Sequence, residues 1–228
     1  YPVVLSTTFS SVTSLGKDAI FDYVIMDEAS QVDVATGALA MSTGRNAIIV
    51  GDCKQLPNVV PPAEKEKSEL IFAQYKVNAA YKYVNSFLKS IIEIMPKGPQ
   101  VTLREHYRCH PKIIDFCNKK FYNNELLIMT KDNGEEDVLK AIRTVEGNHA
   151  RGRENQREVD SIQQEILPGL DIDHKEIGII SPYRDQVRLL KRTFTDIECD
   201  TVHKIQGREK DTIIISTVDN KISEFSDD

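Results

Sequence analysis

Long apolar runs are missing from this 228-residue chain. No stretch approaches the roughly 18 consecutive apolar residues that a membrane-spanning helix needs. The N-terminus also lacks a basic region followed by a long apolar segment, so no secretory leader is read there. Cysteine is scarce: Cys53, Cys109, Cys117 and Cys199 are unevenly spaced and form no CxxC pair, which excludes a zinc ribbon and a disulfide framework. They read as reduced, mostly buried thiols, and the expected location is the cytoplasm, or the nucleus in a eukaryote. A surplus of positive charge is lacking too. The formal net charge is −6 and the second half is the more acidic part. Any contact with nucleic acid is therefore expected to be local and groove-lined rather than a broad basic face.

What is present is enough apolar material, 40% of residues, for one large core or two modest ones. The chain is organised around Phe21-Asp22-Tyr23-Val24-Ile25-Met26-Asp27-Glu28. Tyr23 to Met26 are apolar at every position, which predicts a strand covered on both faces, as in a parallel sheet flanked by helices. Asp27 and Glu28 follow at its carboxyl edge, where such sheets bind ligands. One carboxylate there can hold Mg²⁺ through water while its neighbour orients or deprotonates a hydrolytic water. A solvated turn or helix start accounts for the same pair.

Taken in order, Val3 to Leu5 reads as a short strand, Val32 to Met41 as a helix, and Ala47 to Val50 as a strand ending in Gly51-Asp52-Cys53-Lys54-Gln55. Gly51 permits a tight exit, and the Gln55 amide can donate to a phosphate and accept from a water. After a proline-marked loop, residues 68 to 95 carry apolar positions at helical spacing and are expected to pack inward. Pro96-Lys97-Gly98-Pro99 breaks the chain and marks a domain boundary, giving 1–97 and 98–228. Val101 to Leu103 reads as a strand leading into Arg104-Glu105-His106-Tyr107-Arg108-Cys109-His110, with Pro111 in the first turn of a helix. An arginine in that position can pair bidentately with phosphate oxygens. The competing metal site of His106, Cys109 and His110 has no fourth ligand at a recognisable spacing. Beyond it lie a polar surface excursion around a strand at Ala141 to Val145 and a helix from about Asn155 to Leu167. A buried-type strand at Ile177 to Ile180 then ends in Ser181-Pro182-Tyr183-Arg184, before a helix with Val187 and Leu190. Hydroxyls and an aromatic there can hold a nucleic-acid backbone and stack a base. A Ser-Pro helix start explains them equally well. The last cluster, Cys199 to Asp211, precedes a strand from Thr212 to Val218, and the acidic end at Glu224 to Asp228 reads as frayed. Strands alternating with helices throughout predict an α/β fold with parallel sheets.

Four clusters in this order, Asp-Glu-Ala-Ser-Gln, Gly-Asp-x-x-Gln-Leu, His-Tyr-Arg-Cys-His-Pro and Thr-Val-His-x-x-Gln-Gly-Arg-Glu-Lys-Asp, resemble motifs of superfamily 1 helicases. The nearest branch is that of senataxin and the RNA-surveillance helicases. The resemblance implies two RecA-like domains of the P-loop NTPase type, with ATP in the cleft between them and single-stranded DNA or RNA across their top. It implies that Asp27 serves Mg²⁺ and Glu28 is the catalytic base, and that Gln55 senses the γ-phosphate. It further implies that Arg108 reaches that phosphate from the second domain, with Gly207 and Glu209 beside the nucleotide. Thr7, Ser181, Tyr183, Thr201 and Val202 are then expected near the nucleic-acid strand. Two features of the pattern are missing: a Gly-x-x-x-x-Gly-Lys-Ser/Thr phosphate loop and the late arginine motif. The expectation is therefore a piece of a helicase with an incomplete first domain. Such a piece would be inactive alone, with a raw sheet edge able to associate with another chain. The alternatives are a non-catalytic nucleic-acid-binding or scaffolding module and a nucleotide switch.

Overall fold

The computed structural model describes residues 3–14, 19–145 and 149–219; the acidic end read as frayed lies outside them. Two compact units, Tyr1–Val138 and Leu139–Asp228, make up the chain. The division falls after Val138 and not at the Pro96–Pro99 break. One reason is local: a hydrogen bond from Tyr122 to Asp52 ties the stretch beyond the prolines to the residues before them.

The first unit runs α1 (Ser11–Ser14), β1 (Phe21–Met26), α2 (Val34–Met41), β2 (Gly44–Ile49), α3 (Pro62–Tyr75), α4 (Phe87–Ile94), β3 (Glu105–His106), α5 (Pro111–Phe121) and β4 (Leu127–Ile128). β1 and β2 pair in parallel, with Ile25 opposite Ile48. The crossover helix α2 starts at Asp33, whose carboxylate accepts from Thr36 N at 2.8 Å and so satisfies an N–H that the first turn leaves unpaired. Gly37 lets α2 lie against α4, since a Cβ there would stand 2.3 Å from the Phe87 ring. Met26, Ala29, Ala40, Phe87 and Leu88 close a small core. That core covers one face of the sheet. Tyr23 and Ile25 alternate onto the other face and are 61% and 68% exposed, which corrects the expectation of a strand covered on both sides.

Two further expectations are corrected in this unit. Helix α3 buries none of its residues, and Leu70, Ile71 and Tyr75 face solvent. It is tethered by Lys82, whose ammonium lies 3.3 Å from Glu69 and 5.1 Å from the Phe72 ring centroid. Only the α4 portion of residues 68 to 95 packs inward, at Phe87, Leu88 and Ser90. Neither residues 3–5 nor 101–103 form a strand, because no neighbouring strand offers them a ladder; Val3, Leu5, Val101 and Leu103 are exposed. Pairing near the second stretch occurs instead between β3 and β4, on either side of α5.

The second unit runs β5 (Ala150–Arg151), β6 (Glu154–Asn155), α6 (Gln156–Ser161), β7 (Ile177–Ser181), α7 (Arg184–Thr193), β8 (Glu198–Thr201), α8 (Val202–Ile205) and β9 (Thr212–Ile215). β7 is the central strand of a parallel sheet in the order β8-β7-β9. Ile177 and Ile179 are wholly buried against Val159 and Ile162 on one side of the chain and Leu190, Phe194, Ile197 and Cys199 on the other. The opposite face of β7 carries Gly178, over which Ile213 and Lys210 lie so closely that a Cβ would meet them at 2.9 and 3.3 Å. α6 continues through a π-helical turn, Ile162–Ile166, and a 3-10 turn, Leu167–Gly169, as the helical reading of that stretch expects. No strand forms at 141–145; the β5–β6 hairpin takes its place, turning at Gly152 with φ +62°. β9 stops at Ile215, short of the expected Val218, which adopts φ +69° and whose N–H donates to Glu158 at 2.9 Å. The α/β class with small parallel sheets is as read. No helix among the described residues is long and apolar enough to cross a membrane.

Candidate active site

Both strands of the first unit end in polar residues, and two backbone hydrogen bonds hold those ends together. Val50 N donates to Met26 O at 2.8 Å, and Ala29 N donates to Val50 O at 2.9 Å. Gly51 makes this approach feasible. A Cβ there would stand 3.1 Å from Ala29 N and from Leu88 Cδ2, and 3.2 Å from Ser30 N. The Asp27-Glu28 pair and the Asp52–Gln55 turn thereby share one sheet edge. Glu28 sits at φ +51°, a conformation uncommon for a residue with a Cβ, and opens the 3-10 turn Ala29–Gln31. Its N–H donates to Asp27 Oδ1 at 2.9 Å, and Gln31 Nε2 donates to Glu28 Oε2 at 3.3 Å. Both carboxylates are exposed. The second oxygen of Asp27 takes no hydrogen bond among the described residues, so the pair fits an oxygen-seeking divalent cation such as Mg²⁺.

Asp52 is the hub of the neighbouring turn. Its Oδ1 accepts from Lys54 N at 2.8 Å; its Oδ2 accepts from Gln55 Nε2 at 3.3 Å and from the Tyr122 hydroxyl at 2.5 Å. Sequence reading did not single out Tyr122, because nothing local marks a partner 70 positions away. Burial, then the hydrogen bond and charge of Asp52, push the Tyr122 hydroxyl far above its ordinary ionisation range. Beside the turn lies a pocket of about 230 Å³ lined by Ser30, Cys53, Gln55, Asn85 and Lys89 among others. Burial and the Asp52 charge raise the Cys53 thiol against the opposing pull of Lys54 and Lys89, so it stays protonated.

The His-Tyr-Arg-Cys-His-Pro stretch uses its histidines structurally. His106 Nε2 accepts from Cys109 N at 2.8 Å, and burial followed by the Arg108 charge lowers its pKa, which keeps that nitrogen an acceptor. His110 caps α5: its Nδ1 accepts from Lys112 N at 3.1 Å. His110, Asp132 and Glu135 lie close enough to hold a metal ion. With Nδ1 already an acceptor, however, the imidazole carries its proton on Nε2, which faces Glu135 at 3.3 Å. Lys112 also places its ammonium 3.5 Å from Asp132, so the cluster is an internally compensated clasp. Arg108 is exposed on the loop before α5, while Glu105 accepts from Tyr107 and Asp115 pairs with Lys119.

In the second unit, Ser181 and Thr201 are register neighbours at the carboxyl ends of β7 and β8. Ser181 is fully buried, Thr201 is half-buried, and Val202 opens α8 with 39% exposure. Tyr183 is buried as well: its hydroxyl donates to Asp219 at 2.5 Å, and the Arg153 guanidinium lies 5.8 Å from its ring centroid. Stacking a base on Tyr183 therefore requires Arg153 to move aside. Sequence reading also passed over Gln186, which is fully buried. It accepts from Asn155 N at 2.8 Å and donates to Ser216 Oγ at 2.9 Å, and Ser216 in turn donates to Glu158 at 2.6 Å. Gly207, at φ +81°, and Glu209 are exposed on the turn between α8 and β9. Thr7 belongs to the first unit, where its hydroxyl donates to Ser10 Oγ at 2.9 Å.

Two family models described as AAA domain match the chain, one over residues 1–61 and the other over residues 83–226. An uncharacterized ATP-dependent helicase of Methanocaldococcus jannaschii is 31% identical over 96% of this chain and 34% of its own length. The DNA polymerase alpha-associated DNA helicase A of Saccharomyces cerevisiae is 27% identical over 87% of the chain and 34% of its own length. The DNA replication ATP-dependent helicase/nuclease dna2 of Schizosaccharomyces pombe is 28% identical over 95% of the chain and 17% of its own length. The chain thus spans about a third or less of the relatives it matches. With one AAA-domain model covering more than half of its residues, and helicase relatives aligned along nearly all of it, the chain belongs to the AAA-domain family of ATP-dependent helicases.

Proposed function

We propose that this chain supplies part of the ATP-hydrolysing motor of a superfamily 1 helicase that moves along or unwinds single-stranded DNA or RNA, in the cytoplasm or nucleus. Residues 1–97 and 98–228 would be parts of its two RecA-like domains. The observation that carries the reading is the close approach at Gly51, which sets Asp27, Glu28 and the Asp52–Gln55 turn on one edge of a parallel sheet. Asp27 would hold Mg²⁺, which when bound supplies positive charge to the phosphates. Glu28 would take the proton of the attacking water, and Gln55 would report the γ-phosphate through its amide. Arg108 would fork onto phosphate oxygens, with Gly207 and Glu209 near the nucleotide. Thr7, Ser181, Tyr183, Thr201 and Val202 would line the path of the nucleic-acid strand. The two-stranded β1–β2 sheet has unpaired edges, with Tyr23, Ile25 and Ile48 exposed on one face; this is where another chain would associate.

The test uses the complete reading frame that contains this chain. Glu28→Gln should lower ATP hydrolysis by about 10²-fold or more while ATP binding stays intact, because an amide keeps the shape but cannot accept the proton. Asp27→Asn should weaken Mg²⁺-ATP binding as well. Wild-type turnover in Glu28→Gln would remove the catalytic reading and favour a binding module.

A further inference from the structure

Asp52 Oδ2 receives two donors of unequal strength. The Tyr122 hydroxyl lies at 2.5 Å, within the range of a strong O–H···O⁻ bond. The Gln55 amide lies at 3.3 Å, beyond the usual N–H···O distance. Asp52 cannot swing its other oxygen into the contest, because Oδ1 already accepts from Lys54 N at 2.8 Å. The position of Tyr122 is itself fixed: its N–H donates to Asn118 O at 3.1 Å at the end of α5. The Asn118 amide then pins the following loop, accepting from Leu126 N at 3.0 Å and donating to Leu126 O at 3.3 Å. The same helix begins at the His110 cap, two residues after Arg108.

We propose that Tyr122 is a positioning residue for Gln55: by taking the stronger share of Asp52 Oδ2, it keeps the Gln55 amide from locking onto that carboxylate and leaves it able to turn to a phosphate. This rests on Gln55 acting on the nucleotide, as proposed above. The geometry explains why a hydroxyl is needed at position 122. The ring alone would pack the same way but would cede Oδ2 to Gln55. Burial and the Asp52 charge hold the hydroxyl in its protonated, donating form across the physiological range. Because one rigid helix carries both the Arg108 loop at its start and Tyr122 at its end, a displacement of α5 is transmitted directly to Gln55.

Steady-state and single-turnover ATP hydrolysis by the complete protein test this. Tyr122→Phe should lower kcat about tenfold, the scale of one hydrogen bond to a charged group, with KM for ATP within about twofold of wild type. In Asp52→Asn the neutral amide holds Gln55 weakly, so adding Tyr122→Phe should change little, and the double-mutant cycle should be strongly non-additive. Wild-type kcat in Tyr122→Phe, or additive losses around the cycle, would overturn the proposal. Gln55→Ala separates it from the reading on which it rests. If that variant turns over normally, the role of Gln55 falls and this proposal with it; if it is impaired while Tyr122→Phe is not, only the role of Tyr122 falls. Should Tyr122→Phe fail to fold, an ultraviolet tyrosinate titration of wild type against Asp52→Asn gives an independent answer. One tyrosine should ionise at lower pH in the variant, and identical titrations would overturn the contact.

Discussion

β1 and β7 are both apolar strands in parallel sheets, yet Ile177 and Ile179 of β7 are wholly buried while Tyr23 and Ile25 of β1 are 61% and 68% exposed. The unit of residues 139–228 is the smaller, and it closes the larger core: α6 and α7 lie over one face of β7, while Ile213 and Lys210 lie over Gly178 on the other. The unit of residues 1–138 closes five residues at the carboxyl end of its sheet and leaves the face of Tyr23, Ile25 and Ile48 open. An apolar run therefore states what a strand is able to bury, and the elements that reach each face decide what it does bury. Open apolar faces of this kind are where partners bind.

The comparison breaks most directly at Leu190, which is 0% exposed in the second core. Leu190→Ala should cost roughly 3–5 kcal/mol, the lost transfer energy plus the cavity left behind. Ile25→Ala should stay within about 0.5 kcal/mol, as for other surface positions. Urea denaturation followed by circular dichroism measures both, and equal losses would erase the contrast. Gly51→Ala comes next. Its Cβ would press on Ala29 N and Leu88, and overpacking of this kind costs roughly 1–3 kcal/mol. The damage should be local, with ATP turnover of the complete protein falling further than stability. A variant with normal turnover would separate the Gly51 contact from the site.

The smallest effect is electrostatic. In the second unit, Asp200 is raised by burial but pulled down further by the Lys191 hydrogen bond, the Thr201 N–H and Lys204, for a net lowering. Asp196 is lowered by its hydrogen bond with His174. A carboxyl group whose pKa is lower folded than unfolded adds stability above its unfolded value, and that stability is lost as pH falls through the folded value. Acid weakening should therefore begin below about pH 4, the ordinary aspartate range, and Asp200→Asn should flatten it. In the first unit, hydrogen bonds from Asn133 pull Glu135 down to about 2, with Asp132 also lowered. Both groups are solvent-facing, so solvent screening keeps their contribution slight. Melting curves between pH 3 and pH 7, on the scale of about one to two carboxylate titrations, compare the two units.

The sequence by itself determined the local elements whose signals are short-range. Apolar runs became β1, β2 and β7; Asp33 and Pro111 started α2 and α5; Gly51 marked a tight exit; and Asp27-Glu28 fell at a strand end. The four motif clusters were legible as well, because each is contiguous in the chain. Only the tertiary structure decided which faces were covered, that residues 3–5 and 101–103 lacked a partner strand, and that α3 stayed on the surface. It alone joined Tyr122 to Asp52 and set the fully buried Gln186 between Asn155 and Ser216. The physical reason is range. Caps, turns and periodicity are fixed by neighbours a few residues away, whereas burial and long-range hydrogen bonds depend on which distant surfaces meet, and no local spacing encodes that.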